Sequence, residues 1–217
     1  MSFDTAQYLS RATSRAKSDV ANKLVSMFLH DLSRRVTAVV GVAVTDSRYT
    51  SAAALRFGAK CAYCLRVLEP DRASVEHLDG MNRYRVGLHI AGNVVVACKR
   101  CNGEKRRDDS VPELRLAATG WQSFLSHVGT RCPDGCKTCM YWASVWPDEN
   151  QRMQNLLSAE GRISEFRAQF PAAVAVSERA RSGLRPTLER LYRDCQTFAT
   201  ESIGAAIENS LRLLLPE

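Results

Sequence analysis

Four cysteines in two Cys-x-x-Cys pairs, Cys61/Cys64 and Cys98/Cys101, are the residues whose type and spacing most directly specify chemistry. Two cysteines separated by two residues can present both sulfurs to one ion, and two such pairs complete a tetrahedral Zn²⁺ shell. The insert between the pairs is longer than the roughly 15–20 residues usual for a zinc ribbon. Something besides a tight turn is therefore mounted on it. Glu76-His77, His89 and Asn93 lie inside the insert, and Asn102 directly follows the last cysteine. Four thiolates close the zinc shell and leave no open position, which makes this ion structural.

A second cluster, Cys132-x3-Cys136-x2-Cys139, lacks an obvious fourth partner. His127 or Cys195 could complete a second zinc site there. Cys195 lies on an apolar helical stripe, where a buried inert thiol is the commoner state, so His127 is the preferred ligand. Eight cysteines without a secretory leader point to reduced thiols and metal sites rather than disulfides, and to a cytoplasmic protein. No apolar run approaches the roughly 20 residues of a membrane span. Lys and Arg exceed Asp and Glu by 30 to 23 in 217 residues, giving +7 and a pI near 9.1. That balance suits a polyanionic partner without requiring one.

The elements that must position these groups are mostly helical. Residues 5–40 carry an apolar stripe of Val20, Leu24, Met27, Phe28, Leu32 and Val36, with Ser18-Asp19 as the cap of a second helical piece. Arg11, Arg15, Lys17 and Lys23 fall on the polar side. Residues 36–45 are ambiguous between a strand and a helix end. A short helix over 50–58, capped by Thr50 or Ser51 and closed by Gly58, leads into the first knuckle. Residues 73–77 and 94–97 read as strands, joined by a long connection rich in Gly and Asn, and a helix runs from Lys99 to about Asp109.

A further helix starts at Ser110-Val111-Pro112 and carries Leu114, Leu116, Trp121, Phe124 and Leu125. Residues 148–169 and 184–214 are again helical. The last has Pro186 near its start and a stripe of Leu188, Leu191, Cys195, Phe198, Ile203, Ile207, Leu211 and Leu214. The divisions expected are a helical segment over 1–58, the cysteine-bearing core over 59–110 and a helical region over 111–217. Trp142 and Trp146 read as core or rim residues, His89 as a structural or surface histidine in preference to a catalytic one, and Asp79 as a loop residue although it could reach a metal.

Cys-x2-Cys, an acidic residue beside His, and then Asn93-x4-Cys98-x2-Cys101-Asn102-x2-Lys105 together resemble the HNH endonuclease family. The likeness spans Cys61 to Arg107 and no further. It implies a ββα-metal fold, with two strands and a helix holding one catalytic divalent ion and the four cysteines a structural zinc. It further implies that His77 is the general base, that Glu76 and Asn102 are ligands of Mg²⁺ or Mn²⁺, and that Asn93 braces the loop that aims His77. A neutral imidazole can accept a proton from water near pH 7, and a carboxylate and an amide oxygen are hard donors. Arg100, Lys105, Arg106 and Arg107 lie on or beside the helix as candidates for phosphate contacts. Glu76 stands where Asp or His is more usual, and Arg106 where a third ligand can sit.

The expectation is an α+β protein, a ββα-metal (HNH) core stapled by a four-cysteine zinc and embedded in mostly helical N- and C-terminal segments. Its expected activity is that of a magnesium- or manganese-dependent endonuclease, a hydrolase of DNA phosphodiester bonds, in restriction, phage defence or a mobile element. RNA stays open as a substrate, and a homodimer would allow both strands to be cut. Two other readings stand beside it: a zinc-stabilised nucleic-acid-binding module, and a subunit of a defence complex that cuts only with its partner.

Overall fold

A computed structural model describes residues 5–109, 120–127 and 132–203, and residues 205, 206, 209 and 213. Among the described residues the chain is α+β, mostly helical with one two-stranded antiparallel sheet. Helix α1 spans Thr5–Val40 without a break at Ser18-Asp19. Gly41, at φ +74°, ends it, so residues 36–40 are helix and not strand. The buried face of α1 is displaced by one residue from the apolar stripe in the sequence. Ala21, Val25, Leu29 and Ser33 are buried, whereas Val20, Leu24, Met27 and Phe28 are 41–57% exposed; Leu32 and Val36 of the expected stripe do pack against the core. Small Ala21 and Ser33 suit the inward face because α7 packs along α1 more extensively than any other pair of elements meets. The side chains of Arg11, Arg15 and Lys17 lie outside the described residues, and Lys23 is exposed.

Helix α2 spans Ser47–Phe57. It starts earlier than the residues 50–58 expected, because the Asp46 carboxylate accepts the Arg48 N–H and supplies the cap. Gly58 closes it at φ +57°, as expected. Strands β1 (Ala73–His77) and β2 (Val94–Cys98) pair antiparallel, with Ala73 opposite Cys98 and His77 opposite Val94. Helix α3 (Lys99–Asp109) leaves β2 without a loop. The order strand, long loop, strand, helix is that read from the sequence.

Among the described residues four α-helices follow: α4 (Gly120–Leu125), α5 (Lys137–Val145), α6 (Glu149–Ala168) and α7 (Pro171–Phe198). The helix start expected at Ser110-Val111-Pro112, with Leu114 and Leu116, lies outside the described residues, as do Ile207, Leu211, Leu214 and the Ile203 side chain. Helix α7 begins at Pro171 rather than near Pro186, which lies inside it. Ala173, Ser177, Ala180, Leu184, Leu188, Leu191 and Cys195 recur every three or four residues and turn towards the core. That stripe carries the helix through the proline. Phe198, expected on the apolar stripe, is 61% exposed. One apolar core takes residues from α1, α2, the knuckles, the loop between the strands, β2 and α4–α7. Trp142 is fully buried, gives its Nε1–H to the Phe124 carbonyl and stacks on Trp146. Among the described residues, no helix is long and apolar enough to cross a membrane.

Candidate metal centres and a histidine-lined cavity

The first knuckle is a tight reversal between Lys60 and Val67. The Cys61 N–H bonds the Arg66 carbonyl at 2.9 Å, the Leu65 N–H returns to the Cys61 carbonyl at 3.1 Å, and Leu65 takes φ +59°. The second knuckle joins the end of β2 to the first turn of α3. The sulfurs of Cys61, Cys64, Cys98 and Cys101 lie within 4.8 Å of one another, with Cys64 and Cys98 at 3.9 Å. Tetrahedral zinc with bonds of about 2.3 Å sets its sulfurs about 3.8 Å apart, so the group fits that ion. The N–H groups of Cys98 and Cys101 point at the sulfurs of Cys61 and Cys98, both at 3.3 Å. Hydrogen bonds from Cys101, Cys61 and Cys64 hold Cys98 far below the ordinary thiol range. Cys61 and Cys101 are pushed up instead, so the four sulfurs share protons, and a bound cation would let all four act as thiolates.

His127, Cys132, Cys136 and Cys139 form a second group with all ligand atoms within 4.8 Å. His127 Nδ1 is 3.2 Å from Cys136 Sγ and 3.4 Å from Cys132 Sγ. His127 therefore takes the fourth place, and Cys195 on α7 belongs to neither group. Each group can hold a metal ion such as zinc. Helix α5 reaches both, for it carries Cys139, and its Tyr141 hydroxyl lies 2.9 Å from Cys101 Sγ.

Between the knuckles, loop 78–93 closes on itself. The Leu78 N–H bonds the Asn93 carbonyl at 2.9 Å, and the Gly87 N–H bonds the Gly80 carbonyl at 2.9 Å. Asn93 is buried at the centre. Its Oδ1 accepts the Asp79 N–H at 2.8 Å, and its Nδ2 donates to the Leu88 carbonyl at 2.7 Å and the Asp79 carbonyl at 3.1 Å. Gly87 passes so close to Asp79 that a Cβ would fall 1.7 Å from the Asp79 carbonyl oxygen. Asp79 faces away from β1: its carboxylate accepts the Gly120 N–H and lies 3.7 Å from both Arg167 and Arg181.

A cavity of about 350 Å³ opens where β1, this loop, α1 and α3 meet, lined by Ser26, Glu76, His77, Asn82, Asn102, Lys105 and Arg106 among others. Glu76 and His77, adjacent on a strand, point to opposite faces, yet both border this space because the strand ends here. Glu76 is buried; Tyr63 donates to its Oε1 at 3.2 Å, and Lys105 Nζ lies 3.0 Å from the same oxygen. Lys105 also donates to the His77 carbonyl at 2.9 Å. Both Asn102 Nδ2 bonds go to β1, to Ser74 Oγ at 3.0 Å and the Val75 carbonyl at 3.3 Å, which leaves Oδ1 as its donor atom for a ligand. Burial, then the neighbouring His89, Lys105 and His30, pushes the His77 imidazole down to about 3, so it is neutral near pH 7.

The four basic residues proposed for phosphate contact are placed differently from one another. Arg106 is exposed on the cavity rim. Lys105 is fully buried on Glu76, Arg100 lies over the Tyr141 ring and donates to Ser144, and Arg107 pairs with Glu104. The sequence offered no sign of His89's placement. Its Nδ1 lies 2.9 Å from His77 Nε2, at the head of a loop whose spacing carries no ligand pattern. Comparison with family models, with curated proteins and with solved structures found no match to this chain.

Proposed function

We propose that this chain is a metal-dependent endonuclease that hydrolyses DNA phosphodiester bonds, with His77 as its general base. The reading rests on one observation: a neutral histidine, a carboxylate, an amide oxygen and an arginine border a single cavity beside a cysteine-built metal group. In it, Glu76 and Asn102 hold Mg²⁺ or Mn²⁺, a donor pair of the hard type those ions take, with Lys105 sharing the Glu76 carboxylate. The divalent ion would offset phosphate charge and stabilise the leaving oxygen. His77 takes the proton of the attacking water, Asn93 fixes the loop beyond it, and Arg106 meets a phosphate oxygen at the rim. The zinc at the four cysteines holds β2 and α3 in place.

Plasmid cleavage by the wild type and His77→Ala, with Mg²⁺, Mn²⁺ or EDTA, tests this. Removing the base should lower the rate by about 10²–10⁴-fold with metal content unchanged. Cutting that persists in a zinc-replete His77→Ala protein would falsify the assignment of the base.

The Lys105–Glu76 pair favours a second reading, a zinc-stabilised nucleic-acid-binding module without catalysis, since an ammonium already compensates the carboxylate. DNA binding that ignores both divalent ions and His77→Ala, without cutting, selects that reading.

A further inference from the structure

We propose that His89 is a positioning residue that fixes the tautomer and orientation of His77, an assignment that rests on His77 being the base. The two rings meet edge to face, with centroids 5.2 Å apart, and His77 Nε2 lies 2.9 Å from His89 Nδ1. Two nitrogens this close share one hydrogen, and its location decides what His77 can do. With the hydrogen on His77 Nε2, its Nδ1 keeps a lone pair and can accept a proton. With the hydrogen on His89 Nδ1, His77 must carry its own on Nδ1 and has no basic atom left.

A basic His77 requires the first arrangement, and helix α1 holds His89 where it can supply the acceptor. Its backbone N–H is held at 2.8 Å by Ser33 Oγ, which itself donates to the Leu29 carbonyl at 2.6 Å, so α1 anchors the residue. Its ring lines a second cavity of about 340 Å³ with His30, Arg34 and Thr37. With its own hydrogen on Nε2, His89 presents Nδ1 to His77 as an acceptor. Burial, and then His30, holds His89 below the ordinary imidazole range, so the neutral ring is the form present near pH 7. On the other side Lys105 donates to the His77 carbonyl, and Arg106 lines the cavity that His77 borders. The tether thus runs from Leu29 through Ser33 and His89 to His77, and it brings the N-terminal helix into the site.

Long-range ¹H–¹⁵N spectra of the ¹⁵N-histidine-labelled, zinc-loaded protein read the tautomer directly, whether or not the protein cuts DNA. The expected spectrum has His77 protonated on Nε2 and bare on Nδ1. His89→Phe should give a mixture of tautomers, and His89→Asn, whose amide oxygen takes the place of Nδ1, should restore the single form. In cleavage, His89→Phe should lower kcat about 10–100-fold with KM little changed, and His89→Asn should recover most of the loss. A wild-type His77 that carries its hydrogen on Nδ1, or a His77 tautomer unmoved by His89→Phe, overturns the proposal. The expected spectra in a protein that never cuts would leave His89 as the positioning residue and remove only the nuclease reading.

Discussion

Glu76 and Lys105 decide how the cavity behaves as an electrostatic object. Both are buried, and removing one partner strands the other's charge away from water. Lys105→Met should therefore cost about 3–5 kcal/mol, whereas the Glu76→Gln/Lys105→Met double variant should lose much less. Urea unfolding of the wild type, both single variants and the double variant measures this coupling. If Glu76 holds a divalent ion, millimolar Mg²⁺ should recover stability in Lys105→Met but not in the double variant.

The same physics gives a pH dependence. His77 sits at about 3 in the folded chain against an ordinary value near 6.5, so the unfolded chain binds the extra proton between them. Its contribution is complete above pH 6.5 and is lost progressively as pH falls towards 3, by at most about 1.4 kcal/mol per pH unit. His77→Gln should flatten the fall of urea midpoint between about pH 6.5 and 5 relative to wild type. Equal slopes in the two proteins would rule the effect out.

At the scale of elements, the loop between the strands is the part most sensitive to a single atom. Gly87 faces the backbone of Asp79 and Gly80, which cannot swing aside as a side chain can. Gly87→Ala should open the loop, cost several kcal/mol and weaken the hydrogen bonds that Asn93 makes, as amide exchange at Asp79 and Leu78 would report. Much of this region was legible beforehand. Cysteine spacing located both metal groups and favoured His127, and β-branched runs located the strands. Other features were hidden for physical reasons. Helix α1 has apolar residues on two adjacent faces, and only packing against α7 selects Ala21, Val25 and Leu29 over Val20, Leu24 and Phe28. A proline that commonly starts a helix sits inside α7, because the stripe before it is already buried. His89 gave no signal because a folded loop separates it from His77, and no periodicity connects them.

At the scale of the molecule, the central insert is gripped from both flanks. Ser33 of α1 holds its far end, Tyr49 of α2 binds both the N–H and the carbonyl of Val94, and Arg167 and Arg181 of α6 and α7 face Asp79. The intact chain should carry two zinc ions; Cys139→Ser should lose one, and Cys64→Ser should lose the other and much of the strand signal, as metal analysis and circular dichroism would show. Helix α5 has a further consequence. It supplies a ligand to one centre through Cys139 and, two residues on, sets a phenol against a sulfur of the other. Two bound ions would then be effectors of one another. Loss of an ion from the outer, more accessible centre would loosen α5 and raise the escape rate of the inner ion. A chelator titration should be sigmoidal in the wild type and lose that sigmoidicity in Tyr141→Phe, so that the supply of zinc would be read by this chain as a threshold rather than a gradient.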